Sequence, residues 1–204
     1  AGIYCKDGQP TLFRCRIRDN NIIHTGSSSP CGADIFDDPC SQGTCSKAEG
    51  IGVMGDETDL TIIKCLIEDN IVSGYYDPCP GKETSAGGGI NMYKGSLSMT
   101  DTMVSGNWTT EGGGLFGYKT TLDLSRCRIS MHNSAGVLLD EASGTFHQCL
   151  FDRNGSYGIA AEKSSETILV TECDFNGNGY GIGAKDSTFQ ITDSLLTRNT
   201  ACGL

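Results

Sequence analysis

The sequence predicts an all-β chain wound as a right-handed parallel β-helix solenoid, with three short strands per coil and about seven or eight coils of roughly 22–25 residues. Three observations carry that expectation. Residue columns recur together along the chain, apolar residues alternate with period two, and no segment keeps a helical period.

The first column is an aliphatic residue after glycine or at the head of a coil: Ile3, Ile51, Ile90, Leu115, Val137, Ile159, Ile182 and Leu204. Its last five intervals are 25, 22, 22, 23 and 22 residues, and the first two, 48 and 39, read as one coil plus an insertion. The second column holds Cys15, Cys65, Thr102, Cys127, Cys149, Cys173 and Ser194. Two residues later an apolar residue follows each time: Ile17, Ile67, Val104, Ile129, Phe151, Phe175 and Leu196. The third column is Asn20, Asn70, Asn107, Asn133, Asn154, Asn178 and Asn199, five residues after the second column, or six at Asn133.

Between these landmarks Leu60 and Ile62, Leu97 and Met99, Leu122 and Leu124, Ile168 and Val170, and Phe189 and Ile191 alternate as strand residues do. The alternation slips by one before the cysteine column, so the chain bends there. A third short strand starts each coil, as at Ile90-Asn91-Met92 and Val137-Leu138-Leu139. One such coil cannot bury its apolar face alone. Stacking at the strand spacing of about 4.8 Å buries a continuous core and pairs each strand with its equivalents above and below. Successive strands run the same way, and crossovers between parallel strands are right-handed. The cysteine column reads as small inward packing residues. The Asn column reads as a side-chain ladder at a tight bend where Asn takes left-handed geometry. Gly136, Gly158 and Gly181 are expected to supply tight turns before the first strand.

Composition narrows the partners. Twenty-eight glycines with five prolines suit frequent turning and exclude collagen. The formal net charge of −10 argues against nucleic acid, which needs clustered Lys and Arg, and is compatible with loose Ca²⁺ binding; no other cofactor is expected. No apolar run is long enough for a membrane span. Eleven cysteines are many for a cytosolic protein, which points to an extracellular or cell-surface location. The chain starts and stops within repeats, so residues 1–204 read as a single β-helix fragment of a larger chain.

Insertions interrupt the repeat at about 21–49 and 71–87, leaving the same Asn bend. They contain Cys31, Cys40, Cys45 and Cys79, candidates for two disulfides in any of three pairings. Zinc is the rival, but the spacing lacks a Cys-x-x-Cys pair. Cys5 and Cys202 are unassigned. Asn107-Trp108-Thr109 and Asn154-Gly155-Ser156 match the glycosylation pattern, making Asn107 and Asn154 candidate acceptors, unless the ladder turns them inward.

Two local motifs resemble those of a known family. Gly88-Gly89-Ile90-Asn91 and Gly113-Gly114-Leu115-Phe116 are similar to a Gly-Gly-x-aliphatic motif, shifted by one residue. Phe151-Asp152-Arg153-Asn154 and Phe175-Asn176-Gly177-Asn178 are similar to a Phe-x-x-Asn motif, with Ile17, Ile67 and Leu196 replacing Phe elsewhere. The whole resembles the pectin-lyase-like superfamily, and the motifs resemble the repeats of chlamydial polymorphic membrane proteins. That resemblance implies a surface adhesin with protein or surface-glycan partners. The cysteine-bearing insertions depart from a compact repeat.

The superfamily also implies an enzyme as the alternative: a polysaccharide lyase, a glycoside hydrolase or a carbohydrate-binding module. Its lyases resemble one another in an Asp cluster with Ca²⁺ and an Arg base, its hydrolases in paired aspartates with Gly-His-Gly. Here Asp37-Asp38 lies in an insertion, and Gly-His-Gly is missing. Asp56, Asp140, Glu141, Glu162 and Asp186 alternate with Lys94, Lys119, Lys163 and Lys185, which reads as a charge-balanced ladder rather than a converging acid pair. His24, His132 and His147 are expected on the surface. No catalytic residue is assigned. The position after the cysteine column faces solvent yet is Leu66, Met103, Leu150 and Leu195 in four coils, an apolar stripe and candidate interface. Arg16, Arg128 and Asp174 fill other coils.

Overall fold

A computed structural model describes residues 2–23, 52–73, 88–109 and 113–201. Coil one holds β1 (Ile3–Lys6), β2 (Thr11–Phe13) and β3 (Arg16–Arg18), followed by β4 (Asn21–Ile23). Coil two holds β5 (Val53–Ile63) and β6 (Leu66–Glu68), followed by β7 (Ile71–Ser73), and coil three β8 (Ile90–Thr100) and β9 (Met103–Ser105). Coil four holds β10 (Leu115–Tyr118), β11 (Thr121–Ser125) and β12 (Arg128–Ser130). Coil five holds β13 (Val137–Asp140), β14 (Ser143–His147) and β15 (Leu150–Asp152). Coil six holds β16 (Tyr157–Glu162), β17 (Thr167–Thr171) and β18 (Asp174–Asn176), and coil seven β19 (Tyr180–Lys185), β20 (Thr188–Thr192) and β21 (Leu195–Thr197). Pairing is parallel throughout, each strand with its equivalents in the adjacent coils. The third strands form a seven-stranded sheet; the first and second form a twelve-stranded one, continuous through the long β5 and β8.

The expected columns stack in register, with a correction in the first column and another, described below, in the Asn column. Val53, not Ile51, pairs with Ile3 and Ile90 at the start of coil two. Ile51 lies outside the described residues, as do Leu204 and nearly all of both insertions.

The bends have a single cause. Each of the three corners of a coil carries a residue of positive φ, and the first corner of coil three carries two, Lys94 and Gly95. In coil five they are Glu141 (φ 48°), Gln148 (φ 52°) and Arg153 (φ 54°). Each adds one residue to the alternation, so inward positions run Leu122, Leu124, then Cys127, Ile129, then His132, all buried. Apart from Gly95, Gly106, Met131 and Gly177, the corner residues are Lys, Arg, Glu, Gln or Asp, and none is Asn. Left-handed geometry is costly for them, but in coil five each corner N–H donates along the stack: Glu141 to Glu162 O at 2.9 Å, Gln148 to Thr171 O at 3.0 Å, Arg153 to Asn176 O at 2.9 Å. The Asn column itself keeps negative φ; the residue before it makes the turn. Gly136 and Gly158 serve closeness rather than turning. A Cβ on Gly136 would meet Gly158 O at 2.7 Å and Asn154 Nδ2 at 2.8 Å, so these glycines let backbones and ladder stack.

The core is one cluster along the axis. Phe151 stacks on Phe175 with ring centroids 4.7 Å apart, and Phe146 meets Phe151 edge-on at 5.9 Å.

Candidate functional site

Each bend is followed by a column of inward polar or small side chains that satisfies backbone groups at that corner. After the third bend lies the amide ladder. Asn154 N–H and Nδ2 donate to Asn178 Oδ1 at 3.0 and 2.9 Å, and Nδ2 also reaches Ile129 O at 3.2 Å. Asn20, Asn70, Asn107 and Asn178 repeat parts of this pattern. In coil four the rung is His132, not Asn133. Its ring is 2% exposed, so the expected surface histidine is a core residue. Asn133 instead bonds the backbone of Thr109. The side chains of Asn107 and Asn154, at 0% and 1% exposure, spend their amide nitrogens inside the stack. The folded chain therefore leaves no glycan acceptor nitrogen at either.

The cysteine column is a second ladder, more than small hydrophobic packing. Each thiol donates to the carbonyl two residues earlier, such as Cys173 to Thr171 O at 3.3 Å. Thr102 and Ser194 do the same through hydroxyls at 2.9 and 2.8 Å. Sulfur or oxygen then accepts an N–H from the coil before, as Ser194 does from Cys173. This explains why Cys, Thr and Ser interchange there. The bond with Cys127 pushes the Cys149 thiol up to about 12, and the bond with Cys149, with burial, raises Cys173 too. They stay protonated and are poor nucleophiles. Cys5, Cys15, Cys65, Cys127, Cys149 and Cys173 are free thiols. Cys31, Cys40, Cys45, Cys79 and Cys202 lie outside the described residues.

A third column, Thr58, Gly95, Thr120, Ala142, Ser164 and Ser187, follows the first bend and was missed by sequence reasoning. Thr58 Oγ1 donates to Gly8 O at 2.7 Å, and Thr120 Oγ1 to Gly95 O at 2.9 Å. Its signal was a small residue after a charged one.

On the outside, charges pair between coils. Glu57 bonds Lys94, Arg126 bonds Asp101 at 2.7 Å, Lys119 bonds Glu141 at 3.3 Å, and Lys185 bonds Glu162 at 2.6 Å. The cations hold the carboxyls of Glu57, Asp101 and Glu162 below their ordinary range. The expected charge-balanced ladder is met in part: Lys119–Glu141 and Lys185–Glu162 pair as read, whereas Lys94 takes Glu57 and Asp56 takes Lys6, and Asp101–Arg126 was not foreseen.

The apolar stripe lies on the outer face of the third strands. Arg16, Leu66, Met103, Arg128, Leu150, Asp174 and Leu195 form one registered column. Leu66, Met103 and Leu150 are half-buried and Leu195 is 55% exposed. Beside them runs a polar network centred on Asp152, whose side chain is 7% exposed. It receives Arg128 at 2.9 Å, Arg153 at 3.1 Å and Asn176 at 2.8 Å. Burial pulls the Asp152 carboxyl up, but Asn176 and the two arginines outweigh it and lower it overall. So engaged, it is a weak base.

A second outward face was not foreseen. The register of the first strands sets Tyr4, Met54, Asn91, Phe116, Leu138, Ala160 and Gly183 in one column, of which Asn91 and Phe116 are buried. Tyr93 stacks on Tyr118 at 5.2 Å and Tyr157 on Tyr180 at 4.8 Å. Tyr157 lies over Gly183, where a Cβ would sit 2.5 Å from its ring. Among the described residues no three His, Cys, Asp or Glu side chains converge as a metal site, and no helix is long and apolar enough to cross a membrane.

These coils define a class: an all-parallel solenoid whose ladders hold the inside. The chain belongs to the right-handed beta helix family, whose description as a right handed beta helix region matches residues 1–201. Comparison with curated proteins and with solved structures finds no match.

Proposed function

We propose that this chain is a non-enzymatic structural and adhesive rod of the extracellular space or cell surface. It presents its faces to protein partners. The observation that supports this most is the commitment of outer carboxylates to cations of the next coil, as in Glu57–Lys94, Asp101–Arg126 and Asp152–Arg128. General acid or base chemistry needs a carboxylate poised to exchange its proton, and lowered, ion-paired carboxyls work against that. The column of Leu66, Met103, Leu150 and Leu195 supplies the contact surface. Five of the eleven cysteines serve the internal thiol ladder, so the argument for an oxidising location rests on the insertion cysteines. The adhesin-like motifs noted above support the same role.

Light scattering of the native chain at micromolar concentration, with and without Ca²⁺, tests this. A polymer or large assembly that Leu150→Lys with Leu195→Lys dissolves is the expected result. A monomer that cleaves polysaccharide overturns it.

A second reading is a carbohydrate-binding face, favoured by the stacked pairs Tyr93–Tyr118 and Tyr157–Tyr180 beside Leu138 and Ala160. Aromatic rings of this kind pack against sugar faces while their hydroxyls hydrogen-bond. Titration with neutral oligosaccharides, followed by tyrosine fluorescence in Tyr157→Ala and Tyr180→Ala, decides it.

A further inference from the structure

The amide ladder changes chemistry once. Six of its seven rungs are Asn, which does not titrate, and the fourth is His132. The ring is seated as an Asn would be. Nε2 lies 3.2 Å from Val104 O, the counterpart of the Asn Nδ2 bond to the coil above. Nδ1 lies 3.1 Å from Asn107 N, whose hydrogen it accepts, and 3.2 Å from Asn107 O. Gly114 and Gly113 make the room: a Cβ on Gly114 would fall 2.5 Å from Nε2, and one on Gly113 3.0 Å from His132 Cβ. These contacts fix the neutral ring with its proton on Nε2.

We propose that His132 is an acid-sensitive seam in the stack: its protonation breaks the ladder between coils three and four and loosens the helix there while flanking coils hold. A proton on Nδ1 confronts the Asn107 N–H and must turn to Asn107 O, leaving that amide without an acceptor in a sealed site. Among the described residues the charge also has no partner. β9 and the first residues of β10 bring no titratable group. β15 brings Asp152, and the bend after it Arg153, but both are bound with Arg128 on the outer face. Cys127 and Cys149 belong to the thiol ladder. Burial holds His132 down to about 4, against 6.5 for a free histidine, with its two backbone bonds opposing only in part.

The sign follows. The unfolded chain takes up the proton first as pH falls, so stability contributed by neutral His132 is full above about 6.5 and is lost between there and about 4. Between pH 7 and 4.5 the folding equilibrium loses on the order of 50-fold from this group.

The test is urea unfolding of the wild type and His132→Asn at both pH values, with hydrogen exchange localised by mass spectrometry. The wild type should lose the extra 50-fold, and residues 103–109 and 128–136 should lose protection before coils one and seven. His132→Asn, which restores the common rung, should lose neither. Equal acid sensitivity in the two proteins overturns the proposal. So does wild-type exchange at pH 4.5 showing no loss centred on coils three and four, a result that stands even if the variant does not fold.

Discussion

At the level of single residues, all corners of the solenoid but those at Gly106 and Gly177 force an L-residue into left-handed backbone. Lys64 (φ 54°) is exposed and lies at the second corner of coil two. Removing its Cβ relieves steric cost of about 1–2 kcal/mol, less the added freedom of glycine when unfolded. Lys64→Gly should therefore stabilise the chain by about 0.5–1 kcal/mol, read as a higher denaturation midpoint at unchanged slope. The ladder behaves oppositely. Asn178 donates to Phe151 O and Asn199 Oδ1 and accepts from Asn154. Asn178→Ala strands several buried groups and should cost about 2–3 kcal/mol. An Asn178 variant whose midpoint did not move would mean the ladder decorates the bend without holding it.

Strands and columns explain what could be read in advance. The inward alternation, the cysteine column and the Asn column were legible because burial fixes residue type. The error at coil four came from weighing residue identity over spacing. Five residues separate the second column from its rung in all seven coils, and Cys127 plus five is His132, not Asn133. The tyrosine face was illegible for the opposite reason: Met54, Asn91, Phe116, Leu138 and Ala160 share a column but no chemistry. The thiol ladder makes its own prediction. Cys173→Ser keeps a donor and acceptor in place and should cost under about 1 kcal/mol. Cys173→Val keeps the bulk but removes the bonds and adds a branch, and should cost about 2–3 kcal/mol by thermal or urea unfolding. The reverse ranking would return the column to plain apolar packing.

For the molecule as a whole, stability sums over coils and the contacts between neighbours. Outer ion pairs such as Glu162–Lys185 are exposed and screened by salt. Glu162→Lys, which sets a third cation beside Lys163 and Lys185, should lower the melting temperature at low ionic strength and much less in 1 M salt. A loss equal at both ionic strengths would show that packing, not charge, had been disturbed. Assembly, if the stripe drives it, should respond to Leu150→Lys without any change in monomer stability.

Among the described residues the strand-to-strand hydrogen bonds between coils run along the stack, and the chain threads each coil once before passing to the next. A pull on one terminus therefore meets the coils in sequence, not all at once. The solenoid should yield as a tape unwinding from a reel, giving up one turn at nearly constant tension, then the next. From Val137 to Ile159 a turn is 22 residues, so each slip should release about 75 Å of contour. Stretched from both ends, such a rod should lengthen coil by coil, its force trace in a single-molecule pull showing steps of that size.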